Sequence, residues 1–144
     1  MKARMALMVV ALVAMAGASA GAQQEVTPED YDAAMKSVRA TVGGVNEHLE
    51  AQNAPELGAD GAKFVEAFEK VNAYWTARDE TEAMNLATIA LSAARRFQEA
   101  GGAGNFDVAG EAFSEMRGTC MTCHTQYRER DADGNWQIKG GSGR

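Results

Sequence analysis

"NFDVAGEAFSEMRGTCMTCHTQYRER", residues 105–130, decides the fold. Its apolar residues Phe106, Ala109, Phe113, Met116, Cys120, Cys123 and Tyr127 recur in alternating steps of three and four. That spacing is one face of an α-helix and a heptad-type seam. Asn105, with a side-chain oxygen for the first free backbone N–H groups, is the predicted N-cap, and the helix is predicted to run from about Phe106 to Glu129. Both cysteines of the chain lie on the seam, three residues apart.

Working back along the chain, the same periodicity predicts three more helices. The first opens at "TPED", with Thr27 as cap, Pro28 at the first helical position and Glu29 and Asp30 favouring the positive helix end. Its stripe is Tyr31, Met35, Val38, Val42, Val45 and Leu49. It is expected to stop near "QNAPELGAD", where Asn53, Pro55 and Gly58 read as breakers. A second helix, from about Asp60 to Arg78, buries Phe64, Phe68, Val71 and Trp75, with Tyr74 beside them. After "RDET", capped by Asp79 or Thr81, the third carries Ala83, Leu86, Ala90, Ala93 or Ala94, and Phe97. Its alanines permit close approach of a neighbour or leave room for something bulky. "GGAGN" ends it. No segment reads as a period-two strand, and the short connections make neighbours antiparallel, so the expectation is an all-α, antiparallel up-down-up-down four-helix bundle. Gly43-Gly44 predicts a close contact or a bend, and His48 a surface position.

The flanks read differently. Lys2 and Arg4, an apolar run of about 12 residues from Met5, and small residues ending at Ala20 or Ala22 form a secretory signal peptide over 1–22; a membrane-spanning helix needs roughly 20 apolar residues. The bundle is expected over 23–130, with no membrane span in the mature form. A C-terminal extension over 131–144 holds an Asp133-Gly134 turn and a short "NWQIK" alternation, either frayed or folded back through Trp136 and Ile138. Losing the leader takes the formal charge from -6 to -8. Without a basic stripe to neutralise phosphates, nucleic acid is excluded as a partner.

An exported chain usually spends cysteines on disulfides, but a pair three apart closes too small a loop to stabilise much. A thioredoxin-type pair needs a helix N-terminus after a strand; zinc needs four ligands, and His48 is the one further nitrogen or sulfur donor of the usual kind. C-x-x-C-H on a helix suits covalent haem c instead. Cys120 and Cys123 project from one face to form thioethers with the two vinyl groups, and His124, next to Cys123, reaches the iron.

The ending "CMTCHTQYR" matches C-x-x-C-H-x-x-Y-R at every fixed position and, with its approach "AGNFDVAGEAFSEMRGTC", resembles the class II cytochromes c, the cytochrome c′ family. The resemblance covers the chain to about Arg130, and it is carried by the fourth helix; over the first three only the pattern matches. It implies Cys120 and Cys123 as thioether residues, His124 as proximal iron ligand, and Arg128 near the proximal face, with Tyr127 as core packing. It also implies a distal residue on the first helix. Met35 resembles the distal methionine of the electron-transfer branch, whereas aligning by the proline brings Arg39 there. Met84, Met116 and Met121 fit less well. With Met35 bound, a non-enzymatic periplasmic electron carrier serving redox partner proteins is expected. With the position open, the alternative is a five-coordinate protein binding nitric oxide or carbon monoxide. Members of the family often pair through their first two helices, so a homodimer is a further implication.

Overall fold

Thr27 opens the first helix with a capping box. Its hydroxyl accepts from the Asp30 backbone N–H at 3.1 Å, and the Asp30 carboxylate accepts from the Thr27 N–H at 3.0 Å, so two free donors are satisfied reciprocally. In the computed structural model, residues 25–139 are described; the expected leader at 1–22 and the last residues of the tail, 140–144, lie outside them. Four helices follow in order: α1 (Pro28–Glu50), α2 (Ala54–Thr76), α3 (Thr81–Gly102) and α4 (Phe106–Tyr127). Consecutive helices pack antiparallel, α2 and α3 most extensively, while α1 lies on α2 and barely touches α4. The expected four-helix bundle is the architecture.

The boundaries differ from expectation in physically instructive places. α2 starts six residues early, because the supposed breakers are start signals. Asn53 caps by accepting from the Glu56 N–H at 3.4 Å, and Pro55 sits in the first turn, where its missing N–H has no partner to lose. Between α2 and α3 neither Asp79 nor Thr81 caps; Asp79 takes a left-handed φ of 52° and Glu80 holds the N-cap position without a side-chain hydrogen bond. α4 stops at Tyr127 because Arg128 turns extended and begins a ribbon of β1 (Arg128–Arg130) and β2 (Trp136–Ile138). The "NWQIK" alternation therefore folds back, with Arg128 opposite Ile138 and Arg130 opposite Trp136.

The core is centred on Phe64, Phe97 and Phe113, whose ring centroids lie 5.7–6.2 Å apart, with Val45, Leu57 and Met116 fully buried around them. α3 contributes a buried line of alanines, and Ala87 rather than the half-buried Leu86 continues it. The small residues serve close approach: a Cβ on Gly61 of α2 would lie 2.4 Å from Cα of Gln98 on α3. On α1 the buried positions are Ala34, Val38, Thr41 and Val45, whereas Tyr31, Met35, Val42 and Leu49 are only half-buried, in keeping with the sparse contact to α4. Gly43 meets nothing and Gly44 meets only the His48 ring, inside one uninterrupted helix. His48 is not a surface residue. Its Nδ1 is 2.7 Å from Oδ2 of Asp60, whose side chain is 4% exposed, with Lys63 Nζ 3.4 Å from the other oxygen.

Candidate functional site

The last two turns of α4 carry Cys120, Cys123 and His124, all half-buried, with both thiols free. Three and four residues of separation bring them to one side of the helix. Thr119, Thr122 and Thr125 occupy other positions of the same turns and return their hydroxyls to carbonyls one turn back, at 3.1, 3.1 and 2.9 Å. They compete for none of the three side chains.

Burial sets the protonation of the set. It pushes the Cys120 thiol up to about 11, reinforced by Cys123 and opposed by its own backbone N–H and by Arg117. Burial raises Cys123 too. His124 is lowered first by lost hydration and then by the Arg128 guanidinium. At neutral pH the site therefore holds two protonated thiols and a neutral imidazole with a free lone pair. A reactive redox cysteine needs the opposite shift. Among the described residues no three His, Cys, Asp or Glu side chains converge as a metal chelate. The donors offered are two thiols and one imidazole nitrogen, from Cys120, Cys123 and His124.

Facing the thiols is an aromatic wall that the periodicity did not reveal. Tyr31 of α1 is held far above its ordinary pKa by burial, then by the neighbouring Cys123, with Cys120 contributing less. Its ring centroid lies 4.5 Å from that of Tyr74 and 5.9 Å from that of Trp75, and Trp75 in turn is 5.2 Å from Tyr127. Arg78 closes the far side, its guanidinium 3.4 Å above the Tyr74 ring. The Trp75 indole N–H is buried near the Tyr31 hydroxyl without a hydrogen bond of ordinary geometry. The seam positions of Tyr31, Trp75 and Tyr127 were legible. What could have found the wall is that antiparallel helices bring the start of α1 and the ends of α2 and α4 together.

Met35 lies one turn beyond Tyr31, about 6 Å along α1, half-buried against the core; Arg39 is exposed. Arg128 is placed beside His124 and is no freely solvated side chain: its guanidinium lies 3.9 Å over Trp136 and its Nε is buried without a partner. Tyr127 packs on Trp75, and its hydroxyl donates to Glu80 at 3.4 Å. A cleft of about 500 Å³ opens on the next face of α4, between Asn46 and Leu49 of α1 and Gly110, Ser114, Arg117 and Met121 of α4; none of Cys120, Cys123, His124 or Met35 lines it. The side chains the structure brings to one side of α4 are thus Cys120, Cys123 and His124, with Met35 and Arg128 on the adjoining surfaces.

Comparisons with protein-family models, with curated proteins and with solved structures returned no match.

Proposed function

We propose that this chain is a periplasmic c-type cytochrome of the cytochrome c′ kind. It carries single electrons through one haem bound covalently by Cys120 and Cys123, with His124 as proximal and Met35 as distal ligand. The observation that carries the reading is the joint placement of two free, protonated thiols and a neutral imidazole on one half-buried side of the last turns of α4.

The residues fit that group chemically. Adding each S–H across a vinyl group gives an uncharged thioether, the form a site that disfavours thiolate tolerates best. The neutral imidazole offers its lone pair without first losing a proton. Bound haem supplies one-electron exchange between ferric and ferrous iron. The chain does the rest: Tyr31, Tyr74, Trp75 and Tyr127 exclude water from the buried side, and Arg128, a fixed cation beside His124, favours the less positive ferrous state. An uncharged thioether ligand at Met35 acts in the same direction.

A second reading has one observation in its favour: Met35 packs against the core as an ordinary core methionine does. The distal position is then open to nitric oxide or carbon monoxide. Optical spectra of the ferric and ferrous protein, with and without carbon monoxide, separate the two. The carrier gives a low-spin spectrum with the methionine-to-iron charge-transfer band, lost in Met35→Ala; a high-spin spectrum with ready carbon monoxide binding overturns Met35 ligation. Cys120→Ser with Cys123→Ser removes covalent haem, and colour surviving acid-acetone extraction in that variant refutes attachment at the pair.

A further inference from the structure

Beside the thiols, α4 and the ribbon build a surface that haem attachment does not use. Residues 118–127 carry no Asp, Glu, Lys or Arg, in a chain that is 24% charged. Met121, Thr122, Thr125 and Gln126, all exposed, line a shallow depression along this stretch, and Met121 is 65% exposed. The ribbon is tied to its edge, since Lys139 Nζ donates to the Thr125 carbonyl at 2.7 Å and its backbone N–H to Tyr127 at 2.8 Å. This places the 49% exposed Trp136 at the same end of the helix.

Cations border the uncharged patch. Arg128 and Arg130 lie 3.9 and 4.0 Å from the Trp136 ring centroid, Lys139 sits at Thr125, and Arg117 stands one turn before Met121, about 12 Å along α4 from Thr125. The ribbon also contains Glu129, Asp131 and Asp133, the last exposed in the turn that joins the strands. Glu129 pairs with Gln137 on the opposite face of the ribbon from Arg128 and Arg130. Asp131 spends its carboxylate on the tip, accepting from the N–H groups of Asp133 at 2.9 Å and Asn135 at 2.7 Å. Exposed aromatic and apolar side chains beside arginine are the composition of interface hot spots, and guanidiniums already stacked on an indole lose less freedom on binding.

We infer that this face, centred on Met121, Thr125 and Trp136 and bordered by Arg117, Arg130 and Lys139, docks an acidic protein partner with an apolar centre and a carboxylate rim. The inference rests on the haem reading in one respect, that this partner exchanges the electron. The formal charge is -6, or -8 without the expected leader, and repels such a partner on average, so an encounter through this face is favoured over one elsewhere. Orientation is selected together with contact, next to His124.

The test uses haem-loaded protein on gold coated with a carboxylate-terminated monolayer, following adsorbed mass with a quartz microbalance and the haem by voltammetry. At roughly 0.01 M ionic strength, where the Debye length is about 30 Å, the acidic protein adsorbs despite its net charge, and it desorbs near 1 M salt. Arg130→Glu with Lys139→Glu lowers the adsorbed mass at least about tenfold, and Arg117→Glu alone lowers it independently of the ribbon. Lys36→Glu with Arg95→Glu, the same charge change elsewhere, leaves most of the adsorption in place. No adsorption by the wild type, or equal losses in the two double variants, overturns the docking face. Adsorption without any voltammetric wave overturns the electron carrier while leaving the face standing.

Discussion

Replacing Gly61 by alanine tests the packing on which the site is mounted. The new Cβ would stand 2.4 Å from Cα and 2.5 Å from Cβ of Gln98, against an ordinary carbon contact of about 3.5–4.0 Å. The nearest atom is backbone, so no rotamer change relieves the clash and α2 and α3 must separate by roughly 1 Å. Overpacking costs about 1–3 kcal/mol, and contact with backbone puts this case at the upper end. Higher helix propensity returns about 1 kcal/mol, leaving a net loss of roughly 2 kcal/mol. Gly43 is the internal control: a Cβ there meets nothing, so Gly43→Ala gains about 0.5–1 kcal/mol. The same substitution thus has opposite signs at two helical glycines, separated by nearly 3 kcal/mol. Urea unfolding followed by far-UV circular dichroism reads this directly; with a slope of about 2 kcal/mol per molar, the two midpoints differ by roughly 1.5 M. A Gly61→Ala protein unfolding at or above the wild-type midpoint with an unchanged slope would refute the close crossing.

Four further outcomes are expected. His48→Ala strands the buried Asp60 carboxylate with Lys63 alone and costs roughly 1–3 kcal/mol; a thermal melt indistinguishable from wild type would show that the 2.7 Å contact contributes nothing. In the chain with free thiols, raising Cys120 from 9.0 to about 11 leaves about a hundredfold less thiolate at pH 8, so iodoacetamide labels it slowly until the protein unfolds, and equal rates in the two states would contradict its burial. The same shift carries a sign: the unfolded thiol loses its proton first, so this contribution to stability is complete below pH 9 and is lost as pH rises towards 11, visible as a falling urea midpoint over that window. Thr27→Ala removes half of the capping box and costs about 1 kcal/mol, with accelerated amide exchange confined to the first turn of α1; uniform loss of protection would place the effect elsewhere.

The helical seams and the caps Thr27 and Asn105 were legible because they depend on residues within one or two turns of each other. The same locality explains the misreadings. Pro55 and Gly58 look like breakers in isolation, but Pro55 occupies a first turn and Gly58 faces Gly102, where a Cβ would come within 3.5 Å of that backbone. His48 looks like a surface residue until α2 brings Asp60 to it, and Leu86 looks like core until the rotation of α3 favours Ala87. The ribbon was half legible, since its alternation was visible but its attachment through Lys139 to Thr125 was not.

For the candidate site, the sequence by itself determined the chemistry on offer: Cys120, Cys123 and His124 on one side of the last helix of an antiparallel four-helix bundle. Their spacing within a single helix dictates this whatever surrounds them. Only the tertiary structure decided what faces them. Tyr31, Trp75 and Tyr127 meet there because the antiparallel packing brings the start of α1 to the ends of α2 and α4, Arg128 reaches His124 because the chain turns extended after Tyr127, and Met35 stays half-buried because α1 leans on α2 rather than α4. These are contacts between residues far apart in the chain, and packing between helices, not the period within one, determines them.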